Sequence, residues 1–121
     1  MEAMVLAYNI AGPELKKLKK ICAGKSVRVR AVTPEDFTQP VGALCGVEKR
    51  LESPAPESGE LTEKLLVLTH MTQRQLDSLL TELRTARLCT GALKAVLTPT
   101  NAKWSSYKLY AELKRERGSL A

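Results

Sequence analysis

A chain of 121 residues with 44% hydrophobic and 26% charged residues and a formal net charge of +6 has the size of one domain and the composition of an ordinary globular protein. That balance excludes a disordered or collagen-like chain, and one histidine beside three cysteines (Cys22, Cys45 and Cys89) with no Cys-x-x-Cys pair leaves too few soft ligands for a structural zinc site. No apolar run approaches the ~20 residues of a membrane span and no leader pattern opens the chain, so the expectation is a cytoplasmic protein with reduced, core-facing thiols.

Met4 to Ile10 reads as a short apolar strand. Gly12-Pro13 then opens a helical pattern with Leu15, Leu18, Ile21 and Cys22 on one face. The proline sits where a missing amide proton costs little, and Gly24 supplies a stop. From Ser26 to Val32, Val27, Val29 and Ala31 alternate with Arg28 and Arg30, the pattern of a half-exposed strand at a sheet edge. Thr33-Pro34 follows, and Phe37-Thr38 sets an aromatic residue ahead of a hydroxyl able to cap a short helix.

Glu48 to Lys64 is polar, rich in Glu and carries Pro54, Pro56 and Gly59. It reads as an exposed linker (48–64) between similar halves, 1–47 and 65–121, of a single domain spanning 1–121. In the second half, Leu65 to Leu68 is a continuous apolar run. Thr72 and Gln75 resemble a capping box ahead of a helix bearing Leu76, Leu79, Leu80 and Leu83. Leu93 to Leu97 is the last strand. Thr98-Pro99 repeats Thr33-Pro34, and Trp104 precedes Ser105, which caps a final helix expected over Ser106 to Arg117, with Gly118 beyond its end.

Continuous apolar strands belong in the middle of a sheet and alternating ones outside. The predicted fold is α/β: a small four-stranded, mostly parallel sheet of order 2-1-3-4 from two βαβ halves, with helices on both faces. The alternative is a ferredoxin-like sandwich with an antiparallel sheet.

The stretch Lys94-Ala-Val-Leu-Thr-Pro-Thr-Asn-Ala-Lys-Trp104, followed by Leu109-Tyr110 and Glu112-Leu113, resembles the end of a small bacterial family, domain of unknown function 3783. The resemblance is clearest over Leu65 to Glu116. In the first half it rests on strand, helix and the Thr33-Pro34-Glu35 turn. It implies a bacterial cytosolic protein and brings no activity with it.

Ligands of doubly wound sheets gather beyond the carboxyl ends of the strands. The residues expected there are Asn9, Thr33, His70, Thr98 and Asn101, with Trp104 as a stacking wall or packing anchor. A small anionic ligand of a sensor or enzyme is one reading of this group. His70 is the one imidazole and suits acid or base chemistry, although a polar residue at a loop edge is the commoner role. Thr98 and Asn101 most simply build a turn. No glycine-rich phosphate loop follows either central strand, which argues against nucleotide binding of the familiar kind.

Lys16, Lys17, Lys19 and Lys20, near Arg28 and Arg30, form the best basic patch and the candidate nucleic-acid surface. The patch lacks interleaved aromatics for stacking bases, so a solvated helix face outweighs that reading. With no triad, metal constellation or phosphate loop, the leading expectation is a noncatalytic binding or protein-interaction module without a cofactor. The routes open to self-association, which the pattern does not demand, are helix packing and an edge strand, Val27 to Ala31 or Leu93 to Leu97, guarded by Arg28, Arg30 and Lys94.

Overall fold

Two apolar runs make the centre of the sheet. In the computed structural model, which describes residues 2–120, β1 (Met4–Tyr8) and β3 (Leu65–Thr69) are buried almost throughout. The alternating segments, β2 (Arg28–Val32) and β4 (Leu93–Val96), lie at the edges, giving the order β2-β1-β3-β4. β3 and β4 run parallel, Leu65 beside Leu93 and Leu68 beside Val96. The sheet is mostly parallel, as the sequence implied, and the parallel pair sets aside the wholly antiparallel ferredoxin-like alternative.

The central pair adds a feature the pattern could not carry. β1 and β3 are antiparallel, with Met4 opposite Thr69 and Tyr8 opposite Leu65. A continuous apolar run reads the same in either direction, so burial places these strands together without choosing their sense.

The chain divides into two compact units. The first comprises Met1–Ala31 and Glu63–Val96. Its helices, α1 (Gly12–Ala23) and α3 (Gln73–Thr85), touch each other. They cover one face of the sheet, where Leu18 and Cys22 of α1 and Leu79 and Leu83 of α3 share a core with Val5, Ala7, Leu66 and Leu68. A fully buried leucine of this kind contributes about 1.5–3 kcal/mol.

The two helix entrances are built alike. Asn9 (φ 60°) and His70 (φ 56°) each turn the chain in the left-handed region between a strand and its helix. Thr72 then caps α3 as expected: its Oγ1 accepts from Gln75 N at 3.1 Å, while Gln75 Oε1 accepts from Thr72 N at 3.0 Å. Gln75 also reaches across to the loop that follows α1, its Nε2 donating to Lys25 O at 3.2 Å. Glu14, in the corresponding turn of α1, reaches the other way. Its carboxylate accepts Cys89 N at 3.1 Å and pairs with Lys64 at 2.8 Å.

The second unit comprises Val32–Thr62 and Leu97–Ala121 and contains α2 (Val41–Leu44) and α4 (Ser106–Leu120). Reciprocal backbone bonds tie the two helix starts: Val41 N donates to Trp104 O at 2.8 Å and Ser106 N to Phe37 O at 3.0 Å, around an antiparallel bridge between Pro40 and Ser105. Phe37 meets Tyr107 edge-on, ring centres 5.6 Å apart. Ser105 caps α4 as expected, its Oγ accepting from Lys108 N at 3.1 Å.

Two local expectations are corrected. Thr38 caps no helix: α2 starts at Val41 behind Pro40, because the preceding Gln39 is buried and holds Leu51 through two 2.8 Å bonds. And α4 continues past Gly118 to Leu120, since glycine is tolerated in the last turn of a helix.

Candidate functional site

The antiparallel centre separates two of the expected site residues. Asn9 follows β1 and His70 follows β3, so they leave opposite ends of the paired strands, about 17 Å apart along a five-residue strand. Asn9 is exposed and donates its Nδ2 to Glu63 O at 2.9 Å. His70 is exposed. A common carboxyl edge requires parallel neighbours, and this pair does not provide one.

The other four belong to the second unit. Thr98 and Asn101 spend their side chains on each other's backbone. Thr98 N donates to Asn101 Oδ1 at 2.8 Å and Asn101 N to Thr98 Oγ1 at 3.0 Å, which builds the turn their sequence suggested. The exposed Thr33 donates its hydroxyl to the Glu35 carboxylate. Trp104 is half-buried, with Lys108 Nζ 5.1 Å above its ring, a cation–π contact.

Of the basic residues, Lys16, Lys17, Lys19 and Lys20 are exposed on α1 and Arg30 is half-buried. Lys19 and Arg28 border one surface depression, but Glu2 borders it too and holds Arg28 at 3.0 Å. A carboxylate inside the patch reduces its pull on phosphate.

A different group does assemble. At the end of α3 the chain turns back towards β4 through residues of unusual conformation: Arg87 (φ 53°), Cys89 (φ 54°) and Gly91 (φ 77°) all lie in the left-handed region. Arg87 N bonds Arg84 O at 3.1 Å and Leu88 N bonds Leu83 O at 2.9 Å, closing the helix end. The fold-back leaves a cavity of about 480 Å³, with Leu80, Leu83 and Leu88 in its wall and Arg84, Arg87 and Lys94 as its charged lining. This volume lies within the range of small-molecule pockets.

The sequence reading missed Arg84 and Arg87 and treated Lys94 only as an edge guard. Their signal, two arginines closing an amphipathic helix, is also the ordinary complement of a helix dipole. Only the turn back to β4 brings the lysine to them.

Cys22, Cys45 and Cys89 are thiols and form no disulfide. Cys22 and Cys89 are buried and Cys45 is half-buried, its Sγ 3.5 Å from Gly42 O. Burial above all pushes the Cys22 thiol up to about 11, with neighbouring Cys89 adding to it. Burial and then the Glu14 charge raise Cys89 as well. Thiols held in the neutral form are poor nucleophiles. Lys64 is raised by its hydrogen bond to Glu14.

Among the described residues no group of three or more His, Cys, Asp or Glu could hold a metal ion, and no helix is long and apolar enough to cross a membrane. Residues 64–120, from the approach to β3 through α4, match the family model described as Domain of unknown function (DUF3783). No curated protein and no solved structure matches the chain.

Proposed function

We propose that this chain, which carries a DUF3783 domain in its C-terminal half, is a noncatalytic binding module that associates with a second copy of itself along β4. The observation that carries the reading is Val96, 52% exposed on a strand at the edge of the sheet. An edge strand has one side open to a further strand, and an exposed apolar residue on it favours pairing. The opposite edge is better guarded, with Arg28 held by Glu2 and Arg30 beside it.

The residue pattern of β4 also selects a register. Antiparallel pairing of two copies about a two-fold axis puts side chains of the same face opposite each other. Centring on Ala95 sets Lys94 of one copy against Val96 of the other, so that the lysine stem covers the valine and two lysines are not opposed.

The test is static light scattering of the purified chain over a wide concentration range. The expected result is a mass that rises towards the dimer, and a return to the monomer in Val96→Lys, whose exposed position leaves the fold intact. A monomer mass at every concentration, or a dimer indifferent to Val96→Lys, overturns the proposal.

A further inference from the structure

We infer that the cavity between the end of α3 and the start of β4 binds a small organic carboxylate with an apolar body. The inference is independent of self-association and concerns different side chains, apart from Lys94.

Three physical features point to that ligand class. The first is the chemistry of the wall: Leu80, Leu83 and Leu88 present hydrocarbon, while Arg84, Arg87 and Lys94 supply the charged groups and no acidic residue lines the space. The second is the state of those cations. Arg84, Arg87 and Lys94 are exposed, and among the described residues neither arginine makes an ion pair. Among the described residues Lys94 Nζ donates only to a backbone carbonyl, Ala92 O, at 3.2 Å. Three like charges around one apolar recess repel each other, and a bound anion relieves that repulsion.

The third is the origin of the charges. A helix dipole accounts for cations in the last turn of α3, at Arg84 and just beyond it. It does not account for Lys94, which arrives from a different element and faces the same space. Leu66, on the helix-covered face of the sheet, is paired with Lys94 across β3 and β4, so the lysine lies on the side that α3 occupies. The carboxylate that bonds this loop, Glu14, is already committed to Lys64 and to Cys89 N, leaving the cations for an external anion. Guanidinium groups suit a carboxylate because they present paired donors in one plane.

An anion alone gains nothing from the leucines, and a neutral hydrocarbon gains nothing from the cations. The cavity therefore favours a ligand with both parts over a ligand with either. Its volume of about 480 Å³ accommodates a short-chain or aromatic acid.

The experiment titrates sodium octanoate into the isotopically labelled chain while backbone amide resonances are followed, with octan-1-ol and inorganic phosphate as separate arms. Saturable shifts confined to residues 80–94 are expected for octanoate, with binding at least about tenfold tighter than in either other arm. Arg84→Gln and Lys94→Gln, both at exposed positions, should each weaken octanoate by about tenfold, the effect of one lost charge-assisted hydrogen bond. Absence of octanoate binding overturns the proposal. So does equal binding of octan-1-ol, which would show a merely apolar recess, or equal binding of phosphate, which would show a merely cationic surface. Octanoate binding that both variants leave unchanged places the ligand elsewhere and also overturns it.

Discussion

Adding one methyl group at Gly42 should destabilise the second unit, although alanine is the better helix former. A Cβ built there would lie 2.6 Å from Glu48 Cγ, 2.8 Å from Val47 Cγ2 and 2.9 Å from Ala102 O. The Glu48 side chain is anchored through Lys103 at 3.0 Å. Residues 47 and 48 are themselves folded over Gly42, whose carbonyl accepts both of their amides at 2.8 and 3.1 Å. Ala102 O is backbone within the short turn Asn101–Lys103 and moves only with it. Overpacking of this kind costs about 1–3 kcal/mol, and contact with backbone places Gly42→Ala at the upper end. The gain in helix propensity returns about 1 kcal/mol.

The net loss is about 1–2 kcal/mol, a fall in Tm of about 4–8 °C for a chain of this length. Gly24→Ala is the control. Gly24 already has right-handed backbone angles (φ −66°), and its Cβ would approach nothing closer than Ile21 O at 3.5 Å, so it should gain about 0.4–1 kcal/mol. Calorimetric melts of the wild type and both variants decide the matter. A Gly42→Ala protein as stable as the wild type refutes the packing argument.

His70→Gly should stabilise the first unit by about 0.5–1 kcal/mol, because it relieves the left-handed strain at φ 56° and gives back part of the gain as unfolded-state entropy; a lower melting temperature would show that the imidazole contributes contacts of its own. Stability should also fall as pH rises from about 9 to about 11. The Cys22 thiol, raised from 9.0 to about 11 in the fold, ionises first in the unfolded chain, so its contribution is complete below pH 9 and is lost progressively as pH rises towards 11. Urea titrations at pH 8 and pH 10.5 should show this loss in the wild type and a smaller one in Cys22→Val, and equal losses would refute the assignment.

Burial was legible in the sequence because it follows the local pattern of apolar and polar residues. Leu65 to Leu68 marked a central strand, the alternation from Val27 to Ala31 marked an edge, and Thr72 with Gln75 marked the entrance of α3. These are local facts, decided within a few residues. The sense of β1 against β3 is not local: it depends on how the intervening chain returns, and an unbroken apolar run carries no arrow. The same gap dispersed the expected site, since Asn9 and His70 were grouped by assuming a shared carboxyl edge. Thr98 and Asn101 were legible as a turn because each side chain reaches only three residues. The cavity was not, because Lys94 meets Arg84 and Arg87 only after a helix end, three left-handed residues and a strand register are all in place.

Glu14 and Gln75 show how the two strand–helix–strand halves of the first unit depend on each other. Each half sends a side chain from the first turn of its own helix to the loop that closes the other's, Glu14 to Cys89 N and Gln75 to Lys25 O. Either half by itself would expose the apolar flank of its central strand and also leave this tie without its acceptor or donor. The arrangement works like a pair of clasped hands: one half has no finished grip until the other is present. Order within the first unit should therefore arise and disappear across both halves together, as one cooperative transition.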